Sequence, residues 1–240
     1  MKLTTGSTLL AAGLSLAAVL GPQATAAAAP ACPDVEVVFA RGTFEAPGVG
    51  ATGQAFVDAL NSRLPGEAVA VDAVNYPASL DFEQAAQGVA DASNTLESLA
   101  AGCPNTKIVL GGYSQGAAVA GYTTADSVPA GFVLPAGISG PMPASVASHV
   151  AAVVLFGTPS PLFLGLADHD APPIAIGDRY QAKTLELCAP GDPVCSPGIS
   201  LDRAAHSAYK DNGMALQAAD FVVRQLGQPA PSVPSVQQAT

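Results

Sequence analysis

One stretch near the middle of the chain, KIVLGGYSQGAA at positions 107–118, limits the possible folds more than any other. It predicts a short strand, then a tight turn with the pattern Gly-x-Ser-x-Gly, then a helix that begins with small residues. Side chains would collide in so tight a turn, and Gly112 and Gly116 remove that collision. The turn would present Ser114 above the amino end of the helix, where negative charge is stabilised. We therefore predict that Ser114 is a nucleophile. A surface serine on a glycine-rich turn is the alternative.

The rest of the chain alternates apolar strands with segments of helical periodicity. Strands are predicted at Val35–Ala40, Ala68–Val74, Lys107–Leu110, Ala151–Phe156 and Thr184–Leu187. Helices are predicted at Gln54–Leu64, Asp81–Ala101, Gln115–Thr124 and Met214–Leu226, the last with an apolar face of Leu216, Ala219, Phe221, Val222, Val223 and Leu226. Continuously apolar strands that alternate with helices indicate a parallel sheet covered on both faces. No linker interrupts residues 32–226, so we expect one α/β domain there.

The two ends of the chain differ in composition from this domain. Lys2 is followed by an apolar run at Leu9–Leu20 and then by small residues, which is the layout of a secretory signal peptide within residues 1–31, cleaved between positions 24 and 31. Twelve apolar residues are too few to span about 30 Å of hydrocarbon as a helix. Residues 227–240 are rich in Pro, Ser and Gln, which predicts a mobile tail. We expect an extracellular protein, either released or associated with the cell wall.

The chain has four cysteines, Cys32, Cys103, Cys188 and Cys195. In an exported chain they indicate two disulfides, for which three pairings exist. Cys188 and Cys195 bracket a Gly-Asp-Pro turn, so we expect them to pair, which leaves Cys32 with Cys103. Zinc binding is the alternative, but the chain has no Cys-x-x-Cys pair.

A serine hydroxyl needs a base, and the chain offers three histidines. His149 precedes a predicted strand and is expected at the surface or its boundary. His169 lies between two aspartates on a polar loop, where a metal ligand is the weaker alternative to a solvated residue. His206 lies beyond all the predicted strands, on the predicted loop just before the last helix, where the base falls in the chain order Ser, Asp, His. We predict that His206 is the base.

The third member must be a carboxylate that orients the imidazole. The acidic residues between the serine and the histidine are Asp126, Asp168, Asp170, Asp178, Glu186, Asp192 and Asp202. Only Asp192 follows a predicted strand inside the cysteine-bracketed turn, so we predict that it orients His206. An ordinary Asp-Pro turn is the alternative.

The transition state also needs hydrogen-bond donors for its oxyanion. One donor is the backbone N–H of the residue after the nucleophile, here Gln115. The other comes from the loop after an early strand, here Arg41-Gly42-Thr43, so we predict that Thr43 contributes its N–H and hydroxyl.

The charge and the composition of the chain disfavour several classes of partner. Nine Lys and Arg against 19 Asp and Glu give a net charge of −10, which disfavours nucleic acid and anionic membrane surfaces. Tryptophan is absent, which disfavours glycan binding on aromatic platforms. We expect no cofactor, no metal, no stable membrane insertion and a monomer.

The residues around these predicted sites resemble the cutinase family. The resemblance covers residues 32–226 and rests on Cys32-Pro33, Val38–Thr43, Gly112–Gly116, Cys188–Cys195 and His206. The stretch at 189–198 is most similar to the actinobacterial, mycobacterial-type cutinase-like esterases. The resemblance implies a three-layer α/β-hydrolase fold with a five-stranded parallel sheet, the triad Ser114, Asp192 and His206, the oxyanion residues Thr43 and Gln115, and both disulfides as paired above. Fungal members commonly carry serine at the position of Thr43.

The expected function is a secreted serine esterase that acts on small-molecule or polymeric esters with short to medium acyl chains. An acetyl-ester hydrolase of the acetylxylan type is the alternative within hydrolases. A non-catalytic envelope or binding protein on the same scaffold is the alternative outside them. The apolar segments Val128–Pro143 and Leu162–Leu166 are expected either to pack as surface loops or to form an apolar rim or flap beside the acyl site.

Overall fold

The computed structural model describes residues 31–129, 134–135, 137–167 and 171–227. Nearly all of the proposed signal segment and of the C-terminal tail lies outside these residues, so both stay predictions. No helix among the described residues is long and apolar enough to cross a membrane.

Five parallel strands form one sheet in the order β2-β1-β3-β4-β5. They are β1 (Val35–Ala40), β2 (Val69–Ala73), β3 (Lys107–Tyr113), β4 (Val150–Phe156) and β5 (Thr184–Leu187). All five predicted strands are present, but β3 runs three residues beyond the predicted end at Leu110. The extra residues include Gly111, where a Cβ atom would lie 2.6 Å from the Phe39 ring. Glycine has low strand propensity, yet here only glycine fits beside that ring.

Eight α-helices connect or flank the described strands. They are α1 (Gly50–Arg63), α2 (Ala85–Gly102), α3 (Gln115–Thr123), α4 (Ala144–Ala147), α5 (Pro161–Ala167), α6 (Asp178–Gln181), α7 (Arg203–His206) and α8 (Met214–Gln225), with 3₁₀ turns at Phe82–Gln84 and Ala208–Lys210. Helix α1 begins four residues before the predicted Gln54, since Thr52 and Gly53 are buried and Gly53 lies against Phe39. Helix α2 begins later than the predicted Asp81 because the 3₁₀ turn precedes it.

The helices cover both faces of the sheet and bury two apolar clusters. On one face, Phe56 and Leu60 of α1 and Val222 of α8 pack against strand residues that include Phe39 and Phe156. On the other face, α2, α3, α4 and α6 pack against the alternate strand residues. This three-layer arrangement confirms the predicted α/β-hydrolase class.

Helix α8 buries a different stripe from the predicted one. Leu216 was expected on the apolar face but is 45% exposed. The buried stripe is Ala215, Ala218, Ala219, Val222 and Val223. Their spacing fits the helical period, and small alanines allow the helix to lie close to its neighbours. The helical spacing of the residues therefore indicates the buried face of α8 better than the size of their side chains does.

Both predicted disulfides are present. Cys32 and Cys103 are joined at a Cα–Cα distance of 5.5 Å, and Cys188 and Cys195 at 5.8 Å. The first bridge ties the segment before β1 to the turn before β3. The second closes the loop that follows β5, at the carboxyl edge of the sheet, where the other strand ends converge. Ligand sites of parallel sheets form at this edge.

Candidate active site

Ser114 lies in a strained turn between β3 and α3. Its φ of 56° and ψ of −119° fall in a region that non-glycine residues seldom adopt. A Cβ on Gly112 would lie 2.1 Å from the Gly116 carbonyl oxygen, and one on Gly116 would lie 2.0 Å from that of Ala40. The glycines of the motif therefore allow the strand, the turn and the helix to pass this close. The Ser114 N–H donates to the Phe156 carbonyl at 2.8 Å, which fixes the turn to β4.

The structure brings Ser114, His206 and Asp192 into one hydrogen-bonded row. Nε2 of His206 lies 2.8 Å from Oγ of Ser114, and Nδ1 lies 2.9 Å from each carboxylate oxygen of Asp192. His206 is the last residue of the short helix α7 rather than part of a loop, and the Asp202 side chain accepts hydrogen bonds from two N–H groups in the first turn of that helix. In this order the imidazole can take a proton from the hydroxyl while the carboxylate faces its other nitrogen.

Asp192 is fully buried yet held as an anion. Burial alone would raise the pKa of this carboxyl, but hydrogen bonds from His206, Tyr209 and the Val194 N–H hold its pKa below the usual value. The Val194 N–H lies 2.8 Å from Oδ1, and the Tyr209 hydroxyl lies 2.5 Å from Oδ2. A buried carboxylate with this many donors stays ionised at neutral pH and keeps one orientation.

The loop after β1 leaves one backbone donor free. Within Gly42–Glu45, the N–H of Gly42 donates to the Glu45 carboxylate, that of Phe44 to the Ala78 carbonyl, and that of Glu45 to the Gly42 carbonyl. Among the described residues, the Thr43 N–H has no such acceptor. A Cβ on Gly42 would lie 2.7 Å from the ring of Tyr113, which places this loop against the residue before Ser114. The loop therefore offers a free donor beside the nucleophile turn.

Buried Arg41 holds this loop in place. Its guanidinium donates to the carbonyls of Glu45 at 2.9 Å and Tyr76 at 2.5 Å, and more weakly to that of Val74 at 3.4 Å. The Tyr76 hydroxyl donates back to the Arg41 carbonyl at 2.5 Å. The Arg41 side chain thus ties the loop after β1 to the segment after β2.

Gln115 ties the start of α3 to the same segment after β2. Its backbone begins α3, and its buried side chain donates from Nε2 to the Ser79 carbonyl at 2.9 Å. Phe44 and Ala78, which are hydrogen-bonded to each other, both have positive φ. Strained residues therefore cluster with Ser114 around the position predicted for the oxyanion.

The other candidate bases and carboxylates lie elsewhere. His149 precedes β4 and is half-buried at the opposite edge of the sheet from Ser114. Asp126 accepts a hydrogen bond from the Asp178 N–H, and Glu186 is exposed on β5. Asp168, His169 and Asp170 lie outside the described residues. The described residues contain no cluster of three or more His, Cys, Asp or Glu able to hold a metal.

The two apolar segments have different positions. The described part of Val128–Pro143 lines a small cavity with Val89 of α2 and Tyr122 of α3. Tyr122 lies eight residues after Ser114, about 12 Å along the helix, so this part packs as a surface loop away from the nucleophile. Leu162–Leu166 instead lies in α5, which starts soon after β4 and has no buried residue.

Three residues at the site escaped the sequence analysis. Tyr209 contacts Asp192, Glu45 supports the Thr43 loop, and Gly157 allows close packing of the triad. Only Gly157 carried a signal, as a glycine directly after an apolar strand.

Comparison with known proteins assigns the chain to a family. The Cutinase family model matches residues 31–226. The chain is 51% identical to the probable carboxylesterase Culp5 of Mycobacterium tuberculosis over 172 residues, which is 72% of this chain and 95% of the relative. It is 43% identical to the phospholipase Culp4 of the same organism over 216 residues, covering 90% of this chain and 87% of the relative.

A solved structure shares the fold. An acetylxylan esterase aligns with a TM-score of 0.63 and 28% identity, covering 82% of this chain and 100% of the other. A family match over residues 31–226, together with relatives of this identity, shows that the chain belongs to the cutinase family and is a carboxylic ester hydrolase.

Proposed function

We propose that the chain is an exported serine esterase that hydrolyses neutral, lipid-like esters through an acyl-enzyme on Ser114. The observation that carries the proposal is the unbroken row from buried Asp192 through His206 to the hydroxyl of Ser114. A serine in a strained turn, hydrogen-bonded to a base that faces a carboxylate, is the arrangement expected of an activated nucleophile.

The chemistry then follows in two halves. Oγ of Ser114 attacks the ester carbonyl carbon while Nε2 of His206 takes its proton. The resulting oxyanion accepts hydrogen bonds from the N–H groups of Thr43 and Gln115, and the alcohol leaves with the proton held by His206. A water molecule next attacks the acyl-enzyme, His206 takes its proton and returns it to Oγ, and the carboxylic acid departs.

Apolar side chains around the carboxyl edge of the sheet support a lipid-like substrate. Six of the eight large apolar residues exposed among the described residues follow strand ends at this edge, and we call them the apolar rim: Phe44, Leu80, Leu162, Leu166, Ile199 and Leu201. Ile199 and Leu201 are each 89% exposed. Because exposing so much apolar surface is unfavourable in water, the rim fits an acyl chain or a lipid surface better than a sugar polymer.

The charge of the chain narrows the substrate further. A net charge of −10 repels anionic headgroups, which favours neutral esters. A phospholipase among the relatives is consistent with lipid esters. The structural likeness to an acetylxylan esterase keeps acetyl esters as the second candidate, but Phe44 is the one aromatic residue among the large apolar side chains that are exposed in the described residues.

We also propose secretion and a monomeric working unit. Two disulfides are expected of an exported chain rather than a cytosolic one, in agreement with the signal-like N-terminal sequence. One chain supplies all five residues of the proposed mechanism, so a partner copy is not needed to complete the site.

Covalent labelling tests the serine mechanism. A fluorophosphonate should add one phosphonyl group to Ser114, found by peptide mass spectrometry, and Ser114→Ala should lose both labelling and hydrolysis while keeping its circular dichroism spectrum. Ser148→Ala, at an exposed serine before β4, is the matched control and should behave as the wild type. Unlabelled Ser114 in an active protein would overturn the mechanism, and an inert but folded wild type would favour a non-catalytic scaffold.

A series of p-nitrophenyl esters tests the substrate class. Each CH₂ that the rim covers should contribute up to about 0.8 kcal/mol, so kcat/KM should rise from acetyl to butyryl–octanoyl esters. It should fall for longer chains, which extend past the rim into water. A maximum at acetate would favour the acetyl-esterase alternative and leave the triad unaffected.

A further inference from the structure

Tyr209 lies at the centre of the site although the mechanism above does not use it. Its side chain is fully buried, and its hydroxyl donates to Oδ2 of Asp192 at 2.5 Å. The same oxygen accepts from the Ala189 N–H at 3.0 Å and lies 3.4 Å from Sγ of Cys195. The Tyr209 hydroxyl therefore contacts the carboxylate of Asp192 together with the backbone and the disulfide of the loop that carries it.

The ring of Tyr209 is fixed as firmly as its hydroxyl. It packs edge-on against the rings of Tyr113, Phe156 and His206, with centroid distances of 5.8, 5.9 and 6.4 Å. Burial raises the pKa of the Tyr209 hydroxyl well above its usual range, so it keeps its proton and remains a donor. The phenol thus has a single position from which to bind Asp192.

The carboxylate needs this donor because of how its two oxygens are engaged. Oδ1 accepts from the Val194 N–H, whereas among the described residues Oδ2 has only Tyr209 besides the shared contact with His206. Without the phenol, a buried Oδ2 would lose one of its two donors, and an underbonded buried carboxylate turns toward whatever donor remains. That rotation would change the angle at which Asp192 faces Nδ1 of His206.

We propose that Tyr209 is a positioning residue of the catalytic triad, holding Asp192 in the orientation that aligns His206 with Ser114. The proposal rests on the proposed function of the same site. Tyr209 does not contact the reacting atoms and acts only through Asp192.

A double-mutant cycle tests this route of action. Tyr209→Phe keeps the ring and removes only the hydroxyl, so we expect kcat to fall about 10- to 100-fold with KM within twofold, by analogy with residues that orient ligands in other sites. In an Asp192→Asn background, where kcat is already about 10⁴-fold lower, the same substitution should change kcat less than twofold. Tyr180→Phe is the matched control, since the Tyr180 hydroxyl is buried without a hydrogen-bond partner in the described part of the chain. It should leave kcat unchanged.

The kcat values of the variants that keep Ser114 are normalised to active sites counted with a fluorophosphonate, so a partly folded preparation still gives a result. The case in which Ser114→Ala and Asp192→Asn are impaired as expected tests Tyr209 alone. Equal losses of kcat from Tyr209→Phe in both backgrounds, or no loss in either, would then overturn the positioning role of Tyr209. If instead those two variants keep full activity, the proposed function itself fails.

Discussion

Gly157 lies directly against the carboxylate of Asp192: a Cβ atom on Gly157 would be 3.1 Å from Oδ2. The same atom would be 3.1 Å from the Tyr209 hydroxyl and 3.2 Å from Cε1 of His206. The first residue after β4 thus forms one wall of the triad, and its φ of 62° also favours glycine.

We expect Gly157→Ala to impair catalysis beyond its effect on stability. The added methyl would press on Asp192 and His206, and a displacement of about 1 Å can cost about 100-fold in rate. Gly66→Ala is a matched control, because Gly66 also has positive φ but no atom within 4 Å of an added Cβ. Both variants should lose about 1–2 kcal/mol of unfolding free energy from backbone strain, but only Gly157→Ala should lose kcat. Equal kcat in the two variants would show that the wall tolerates a methyl group.

The two disulfides should differ in what their removal costs. By loop-closure entropy, Cys32–Cys103 is worth about 4 kcal/mol and Cys188–Cys195 about 2–3 kcal/mol. Replacing Cys188 and Cys195 by serine should nevertheless lower kcat by the larger factor, because that loop carries Asp192. Replacing Cys32 and Cys103 should mainly lower the urea midpoint. An unchanged kcat in the first double variant would assign the short bridge a purely structural role.

Asp192 should make the stability of the fold sensitive to acid. Because its pKa is depressed in the folded state, its contribution is complete above the unfolded value of about 3.9 and is lost as pH falls through the lower folded pKa. Urea unfolding of wild type and Asp192→Asn between about pH 6 and pH 2 should therefore show a stability difference that shrinks below about pH 4. The other carboxylates cancel in this difference. A difference that stays constant with pH would contradict the assignment.

Arg41 should matter for kcat although it is remote from the reacting atoms. Lysine cannot reproduce the planar set of donors that ties Glu45, Val74 and Tyr76 together, so Arg41→Lys should loosen the loop that carries Thr43. We expect kcat to fall about 100-fold with little change in KM, as for the loss of an oxyanion donor. Arg63→Lys, at a surface ion pair with Asp220, is the control and should stay within twofold of wild type. A raised KM with normal kcat would instead give Arg41 a role in substrate binding.

Leu162 and Leu166 of the apolar rim should matter for esters presented at a lipid surface and not for dissolved p-nitrophenyl acetate, whose acetyl group has no CH₂ for the rim to cover. Leu162→Ser with Leu166→Ser removes two exposed leucines from α5 without touching the core. Hydrolysis of emulsified tributyrin should fall several-fold, whereas hydrolysis of dissolved p-nitrophenyl acetate should not change. Leu216→Ser, at an exposed leucine of α8, should affect neither. A loss on both substrates would place the leucines in the acyl site itself.

The sequence was most informative where the chemistry is contiguous. The strand, the glycines and Ser114 lie within twelve residues, so the strained turn could be predicted from local pattern alone. Asp192 and His206 could be predicted as the carboxylate and the base because chain order and the two cysteines that flank Asp192 distinguished them from the other acidic residues and histidines. The structure brings both to Ser114, and their catalytic roles stay predictions that the experiments above test.

The contacts that could not be predicted from the sequence join residues far apart in the chain. Tyr209 reaches an aspartate 17 positions earlier, and Arg41 reaches carbonyls more than 30 positions later. In a sequence, a single tyrosine such as Tyr209 indicates a core position as readily as a hydrogen-bond donor. The exposed Leu216 was misplaced for a related reason: apolar character alone does not fix the rotation of a helix about its own axis.

The order of the cysteines has a consequence for how the protein matures. The bridges Cys32–Cys103 and Cys188–Cys195 follow one another along the chain and neither encloses the other. If the chain emerges amino end first into an oxidising compartment, Cys103 finds only Cys32 as a free partner, and Cys195 later finds only Cys188. Native pairing then needs an oxidant but no reshuffling of wrong bridges, so a disulfide isomerase should be dispensable for the yield of active protein.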